Sequence, residues 1–221
     1  MKLAYLATGL FAVLAAYWVT EAAAIEEVVV TASRNLIDDP PKVVSKPPAS
    51  CAHPKEQEAS LSPWMVSATR FNVDALDLYA IALQESRRHF PDGQVRPWPW
   101  TLHSPSVGSM YFDTCEQAAA KLTELIAQGI RNIDVGLMQI SWHWNGHRVS
   151  NPVDLLDPTE NIDVAAEILR ENLDQFGGDV RIAIARYHSA KIENGIPYAA
   201  AVLTIRRELD SLSSVKLALA L

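Results

Sequence analysis

From residue 62 onward, hydrophobic residues recur at the three- and four-residue spacing that is typical of amphipathic helices. A polar capping residue or a proline in the first turn precedes each periodic segment. Gln117 completes a capping box with Thr114 for one segment, and Pro197 marks the start of the last. The predicted helices run from Asn72 to about His89, from Thr114 to near Gly129, from Asp157 to Phe176, from Asp179 to Tyr187 and from Tyr198 to about Leu212.

The pattern changes between Arg96 and Asp113. Residues 97–103 and 110–112 are rich in aromatic and apolar side chains, and they flank a turn-forming segment at 104–108. This arrangement predicts a β-hairpin. The chain is therefore expected to form an α+β domain that is mainly helical and carries a small β-hairpin insert.

Residues 1–24 have the order of a secretory signal peptide. Lys2 precedes an apolar block from Leu3 to Val19, and the small residues Ala22 to Ala24 offer a cleavage site. The apolar block approaches the lower length limit of a membrane span, so an uncleaved signal-anchor stays open as an alternative. The expected location is the periplasm, or the inner membrane with the domain facing the periplasm. Membrane contact is expected only if the segment is not cleaved.

Residues 25–60 are predicted to form a linker. The pairs Pro40-Pro41 and Pro47-Pro48, with Pro54, forbid a continuous helix, and the apolar residues have no sustained period. A linker of this kind would let the following domain reach away from a membrane or a complex, or would serve only as spacing for export. The folded domain is placed at residues 61–221.

The charge of the chain argues against one class of partner. The formal net charge of the 221 residues is −7 at pH 7, and no basic stripe stands out from this acidic background. Nucleic acid is therefore excluded as an expected partner.

The two cysteines, Cys51 and Cys115, suit an exported protein in which a disulfide would persist. Two independent buried thiols are the alternative, and the sequence leaves both open. The cysteines lie far apart and the histidines are scattered, so the spacing of zinc ligands is lacking and no metal is expected.

Glu85 is the candidate for acid chemistry. On its predicted helix it shares a face with Leu78, Ile81 and Ala82, so a carboxylate ends a stripe that is otherwise apolar. A partly desolvated carboxylic acid has a raised pKa, which a general acid needs near neutral pH. The alternative is a glutamate at the edge of the core, in water or paired with a neighbouring basic residue.

Four short motifs follow one another along the chain. They are Glu85-Ser86, Gly136-Leu137-Met138-Gln139, Asn161-Ile162 and Ala185-Arg186-Tyr187. In this order they resemble the motifs of the soluble lytic transglycosylase family, lysozyme-like enzymes that cut the glycan strands of peptidoglycan. The resemblance extends over about residues 75–202.

The resemblance implies a lysozyme-like fold and a lytic transglycosylase reaction. Glu85 would protonate the oxygen that joins N-acetylmuramic acid (MurNAc) to N-acetylglucosamine (GlcNAc), and the N-acetyl group of the sugar would stabilise the positive charge. The same carboxylate would then take the proton of the C6 hydroxyl, which closes a 1,6-anhydro ring. No metal or organic cofactor is implied.

The resemblance also assigns roles to neighbouring residues. Gln139 would bind sugar, and Tyr187 would place its hydroxyl near Glu85. Ser141 is a substitute residue of the groove, and Met138 would wall the cleft or belong to the core. The residues expected to support the site are Ser86, Gly136 and Asn161.

This chain departs from the usual family pattern in several places. About fifty residues separate Glu85 from the Gly-Leu-Met-Gln motif, and the usual Tyr-Asn-Ala-Gly is replaced by Tyr187-His188-Ser189-Ala190. Such an insert and ending resemble transglycosylases associated with conjugation or secretion machinery, which open the wall for a trans-envelope complex. Peptidoglycan and such an apparatus are therefore the expected partners.

Asp134 is the residue on which a rival function depends. If it faced Glu85 across the cleft, it could activate water and make the protein a muramidase, a hydrolase of the same fold; otherwise it would cap or turn the chain. A second rival is a wall-binding assembly module with little turnover, although binding alone does not require the acid Glu85.

Four tryptophans could serve the groove or the core. They are Trp98, Trp100, Trp142 and Trp144. Exposed aromatic faces would stack on sugar rings, whereas buried ones would pack the hairpin against a helix, and both interpretations stay open.

Overall fold

The computed structural model describes Cys51 and residues 62–211. The predicted signal peptide at 1–24 and, apart from Cys51, the predicted linker at 25–60 lie outside the described residues. Within the described part of the chain, no helix is both long and apolar enough to cross a membrane.

Helices make up most of the described domain. They are Pro63–Phe71 (α1), Ala75–Ser86 (α2), Cys115–Ala127 (α3), Trp142–Asn145 (α4), Pro158–Gln175 (α5), Val180–His188 (α6) and Ile192–Ser211 (α7). Helix α7 packs against α6 and α2, and α1 packs against α5. The strands are few and short, so the fold is the mainly helical α+β arrangement that the sequence predicts.

The strands form two small antiparallel sheets. They are Arg87–His89 (β1), Val95–Pro97 (β2), Thr101–Ser104 (β3), Gly108–Tyr111 (β4), Asp134–Val135 (β5) and Ile140–Ser141 (β6). The first sheet is the hairpin β1-β2, and the second has the order β4-β3-β5-β6. The predicted hairpin is confirmed as β3-β4, in which Thr101 lies opposite Tyr111 and Ser104 lies opposite Gly108.

The start and end of α2 differ from the prediction. Asn72 adopts a left-handed conformation with φ of 53° and ends α1, whereas Asp74 caps α2 by accepting hydrogen bonds from the N–H groups of Leu76 and Asp77. The helix ends at Ser86 rather than near His89, because residues 87–89 pair with 95–97 as a hairpin. Pairing between strands has replaced the last helical turn.

The other predicted caps are present. The side chain of Thr114 accepts from the N–H of Gln117, and that of Asp157 accepts from two N–H groups at the start of α5. Asp179 caps α6 in the same way through the N–H of Ile182. These bonds satisfy donors that have no partner within the helix.

Helix α7 begins earlier than predicted. It starts at Ile192, and Pro197 lies inside it. Gly195, in the turn before the proline, approaches Ala185 so closely that an added Cβ would lie 2.2 Å from the Ala185 carbonyl oxygen. Helix α7 therefore begins before the proline, in a turn where Gly195 packs tightly against α6.

Cys51 and Cys115 form a disulfide, with their Cα atoms 5.5 Å apart and a sequence separation of 64. Cys115 is the buried first residue of α3. The bond therefore attaches residue 51 to the beginning of that helix.

Candidate active site

A cleft lies between the larger sheet and the helices α2, α5 and α6. Its cavity volume is about 960 Å³. Polar side chains predominate along it, and the residues that line it include Glu85, Asp134, Gln139, Ser141, Trp144, Arg148, Arg186, Tyr187 and His188.

Glu85 stands one residue before the end of α2 and lines the cleft. The residues one turn before it, Ile81 and Ala82, are completely buried. Burial raises the pKa of Glu85 to about 7, a hydrogen bond from Tyr198 opposes this rise, and the nearby charge of Asp134 adds to it. The carboxyl group is therefore able to hold or release a proton near neutral pH.

Tyr198 is the residue that contacts this carboxyl group directly. Its hydroxyl donates to Oε1 of Glu85 over 2.5 Å, and its ring stacks on His188 with 4.3 Å between centroids. Tyr187, which the sequence predicts near Glu85, has its pKa raised by burial and by the charge of Glu85, and its hydroxyl donates to the Met138 carbonyl over 2.8 Å. Sequence reasoning missed Tyr198 because it belongs to none of the four motifs and is 113 positions from Glu85.

The Gly-Leu-Met-Gln motif forms a tight loop between β5 and β6, and Asn161 holds it. The Asn161 side chain is fully buried, accepts from the Met138 N–H and donates to the carbonyls of Val135 and Leu155. All three contacts are between 2.8 and 3.0 Å. Asn161 therefore satisfies three backbone groups: one directly before the loop, one within it and one shortly before α5.

Gly136 is required by this packing. Its φ is 82°, and a Cβ atom there would lie 2.4 Å from Nδ2 of Asn161 and 2.5 Å from the Leu155 carbonyl oxygen. Only glycine fits here, because the Asn161 side chain and the Leu155 carbonyl occupy the space that a side chain would need.

Ser86 joins the end of α2 to the same loop. Its buried hydroxyl donates to the Leu137 carbonyl over 2.7 Å and accepts from the Trp98 N–H over 3.2 Å. Ser86 fixes the position of the neighbouring Glu85 relative to the loop across the cleft.

Gln139 is the last residue of the loop and has an unusual φ of 47°. Its Nε2 donates to the carbonyls of Gly136 and Thr101, at 2.8 and 3.2 Å. Both partners are acceptors, so the nitrogen of the carboxamide must face them and the oxygen must face away. Because Gln139 lines the cleft, that oxygen is the atom able to accept from a ligand.

Asp134 lines the same cleft as Glu85. It lies on β5, opposite His103 of β3 and Ser141 of β6. Burial raises the pKa of Asp134, whereas the charge of His103, a hydrogen bond with Ser141 and the charge of His188 lower it. The cleft thus contains a second carboxyl group, whose pKa is raised by burial although three polar neighbours oppose the rise.

Comparison with known families agrees with this geometry. Residues 112–195 match the family model described as Transglycosylase SLT domain. These residues therefore form a domain of the soluble lytic transglycosylase family. Members of the family are lyases that cut glycosidic bonds of peptidoglycan, so this chain is an enzyme of that class. No curated protein and no solved structure matched it in the corresponding comparisons.

The matched residues contain the Gly-Leu-Met-Gln loop, Asn161 and Tyr187 of the transglycosylase domain, whereas Glu85 and Tyr198 lie outside them. The assignment of Glu85 therefore depends on its position in the cleft, not on the family match.

The structure corrects the prediction that Met138 walls the cleft. Its side chain has no exposed surface and belongs to the core of the transglycosylase domain, so it does not wall the cleft. Ser141 does line the cleft, where its hydroxyl is engaged by Asp134.

The four tryptophans divide between core and cleft. The rings of Trp98 and Trp100 pack edge to face, and Trp98 Nε1 donates to the Phe112 carbonyl over 2.7 Å. Trp142 packs against the core beside Gly146. Trp144 is different, because 72% of its surface is exposed and it lines the cleft. Only Trp144 among these four offers an open aromatic face to a ligand of the transglycosylase.

No group of three or more histidine, cysteine, aspartate or glutamate residues in the described part of the domain is arranged to hold a metal ion.

Proposed function

We propose that this transglycosylase cleaves the β-1,4 bond between MurNAc and GlcNAc and forms 1,6-anhydro-MurNAc, with Glu85 as acid and then as base. The observation that carries the proposal is the position of Glu85: a half-buried carboxyl group that lines the cleft, with a pKa raised to about 7. A group with this pKa can exist in both protonation states under the conditions of the reaction.

In the first step, Glu85 donates its proton to the glycosidic oxygen, and the bond from that oxygen to the muramyl anomeric carbon breaks. The positive charge that develops on this carbon is stabilised by the oxygen of the sugar's own N-acetyl group, as in other substrate-assisted glycosidases. A second carboxylate is not needed as nucleophile.

In the second step, ionised Glu85 takes the proton of the muramyl C6 hydroxyl. The C6 oxygen bonds to the anomeric carbon, the N-acetyl oxygen leaves it, and a 1,6-anhydro ring results. The proton returns to Glu85, so the enzyme ends as it began and no water is consumed. The hydrogen bond from Tyr198 favours the ionised carboxylate between the two steps.

The roles of the remaining site residues follow from their contacts. The Gln139 carboxamide oxygen accepts from a sugar hydroxyl, and Trp144 supplies a stacking face. Tyr187 lines the cleft but acts mainly through the Met138 carbonyl that it holds. The supporting residues are Ser86, Gly136 and Asn161.

Purified peptidoglycan sacculi treated with the protein, or with the Glu85→Gln variant, provide the test. Mass spectrometry of the released muropeptides should show 1,6-anhydro-MurNAc ends with the unmodified protein and a loss of about a thousandfold or more in their rate of release with the variant. Release that is unaffected by Glu85→Gln would overturn the assignment of Glu85. Glycan binding without any release by either protein would favour a wall-binding module.

A muramidase is the second candidate, because Asp134 faces the same cleft as Glu85. Ionised Asp134 could direct a water molecule at the anomeric carbon, and the products would then carry reducing ends. Asp134→Asn in the same assay separates the two functions. Loss of reducing-end products with Asp134→Asn would support hydrolysis, whereas undiminished 1,6-anhydro products would support the transglycosylase.

We also propose that the protein is exported to the periplasm and opens the wall for a conjugation or secretion complex. The support is the long segment after Glu85 and the Tyr187-His188-Ser189 ending, which resemble transglycosylases of such systems. Deleting the gene should reduce assembly of the complex, and a Glu85→Gln copy should fail to restore it. Restoration by that variant would show that cleavage is not the contribution.

A further inference from the structure

We infer that Arg186 forms a carboxylate-binding subsite of the cleft and recognises the acidic branch of muramic acid, an inference that rests on the proposed function. Arg186 lies on α6, directly before Tyr187, and lines the cleft that contains Glu85. The chemistry that it would recognise is a carboxylate, supplied either by the lactyl group of muramic acid or by the stem peptide attached there.

The guanidinium of Arg186 is held in place without being neutralised. It lies over the ring of Phe176, 5.0 Å from the centroid, and Nη1 donates to the Ala190 carbonyl. Its Nε is buried and has no hydrogen-bond partner among the described residues. None of the ion pairs within the described part of the chain includes Arg186.

The other arginine of the cleft shows the contrast. Arg148 is paired with Glu167 at 2.9 Å and with Glu171 at 2.6 Å, so its charge is already matched by carboxylates of the protein. Arg186 has the same fork of donors but packs on an aromatic ring and a backbone carbonyl instead. A guanidinium in this state is suited to receive a carboxylate from a ligand, because none of the carboxylates of the described residues forms an ion pair with it and a charged N–H donor makes strong hydrogen bonds to a carboxylate.

The alternation of the glycan makes such a subsite useful. GlcNAc and MurNAc share the sugar ring and the N-acetyl group, so contacts to those groups alone cannot distinguish the two linkages of the strand. The lactyl branch occurs on every second sugar. A cation that binds this branch fixes the register of the strand and places the MurNAc–GlcNAc linkage, rather than the GlcNAc–MurNAc linkage, over Glu85.

Binding measurements in a Glu85→Gln background test the inference, because that substitution prevents turnover during titration. Three probes separate the sources of the carboxylate. Chitotetraose has none, a GlcNAc–MurNAc tetrasaccharide without peptide has free lactyl carboxylates, and the same tetrasaccharide with stem peptides has only the peptide carboxylates.

Arg186→Gln should weaken the binding of one or both carboxylate-bearing probes by about tenfold or more, since a hydrogen bond to a charged group is being removed. Chitotetraose should be unaffected. Arg186→Lys, which keeps the charge and much of the packing but loses the fork, should give a smaller loss. Arg181→Gln is the matched control, because it removes the same charge from the same helix. Arg181 is exposed and lies outside the cleft.

The pattern over the probes decides the result. A loss confined to the peptide-free tetrasaccharide assigns the lactyl carboxylate, and a loss confined to the peptide-bearing one assigns the stem peptide. Equal losses for all three probes would overturn the inference in favour of a packing role, as would no loss for any. Either result would leave the cleavage assay with Glu85→Gln unaffected, whereas failure of every probe to bind would overturn the inference together with the glycan-binding cleft.

Discussion

At the scale of single residues, the acid chemistry depends on the contact between Glu85 and Tyr198. Burial of the carboxyl group favours the neutral acid, whereas the Tyr198 hydroxyl favours the ionised form. The two effects oppose each other, and burial dominates. The result is a carboxyl group whose proton is available near neutral pH yet can be released once the glycosidic bond has broken.

The alkaline side of the pH profile should report this balance. Glu85 must be protonated to begin the reaction, so kcat/KM should fall as the pH rises through about 7. Tyr198→Phe removes a hydrogen bond that lowers the pKa, so the descending limb should move to higher pH by about one unit. Initial rates of soluble muropeptide release between pH 5 and 9 measure the shift.

Tyr187→Phe is the control, because its hydroxyl binds the Met138 carbonyl rather than Glu85. The descending limb of that variant should stay in place. A limb that moves equally in both variants would contradict the assignment of Tyr198 as the residue that tunes Glu85.

At the scale of elements, the loop from Gly136 to Gln139 is the piece that joins the sheet to the helical part of the domain. Asn161 at the start of α5 and Ser86 at the end of α2 both bond to its backbone. The loop therefore sets the distance across the cleft, between the helix that carries Glu85 and the strand that carries Ser141.

Gly136→Ala should be much more harmful than an alanine at another left-handed glycine. Gly129 has nearly the same φ, 81° against 82°, but a Cβ there meets nothing within 4 Å. Backbone strain should lower the free energy of unfolding by about 1 kcal/mol in Gly129→Ala. Gly136→Ala adds overlap with Asn161 and Leu155, for a total loss of about 4 kcal/mol. Urea denaturation of both variants measures the difference, and equal losses would contradict the packing argument.

The elements also show which features the sequence could predict. Caps such as Thr114, Asp157 and Asp179 act within one helical turn, so local sequence is sufficient to identify them. The hairpin β1-β2 was not predicted, because its first strand continues a helical sequence and is fixed by pairing with residues 95–97. The early start of α7 was missed for the same kind of reason, since the contact of Gly195 with α6 lies outside any local pattern.

The candidate site likewise contains residues that the sequence could predict and residues that it could not. Glu85 and the loop that bears Gln139 could be identified as motifs, but Tyr198 could not, because it is 113 positions from Glu85 in sequence and belongs to no motif. The orientation of a side chain was equally hidden: Met138 stands within the motif and faces the core. Motifs indicate which segments form a site, whereas long-range packing decides which atoms face it.

At the scale of the whole molecule, the disulfide connects residue 51 to the domain across 64 positions of sequence. The cross-link limits the freedom of the unfolded chain, and by the chain-entropy model a loop of this length contributes about 4 kcal/mol to the free energy of unfolding. Neither cysteine lines the cleft. The contribution should therefore be to stability and not to catalysis.

Replacing both cysteines by serine should lower the free energy of unfolding by about 4 kcal/mol and leave kcat/KM near its original value under folding conditions. Urea denaturation with and without a reductant measures the first, and muropeptide release measures the second. The reductant should destabilise the unmodified protein and have no effect on the double variant. Equal sensitivity of the two proteins to the reductant would show that the loss does not come from the bond.

The exposed indole of Trp144 gives the cleft an optical reporter of its own. Its ring is 72% exposed and lines the cleft, whereas Trp64, Trp98, Trp100 and Trp142 are only partly exposed. A glycan strand that stacks on the indole would displace water from it, so its fluorescence should shift to shorter wavelength and be shielded from acrylamide quenching. Titration of the Glu85→Gln variant with oligosaccharide should show both changes, and Trp144→Phe should abolish them. Occupancy of the cleft could then be followed in real time, without any label on the substrate.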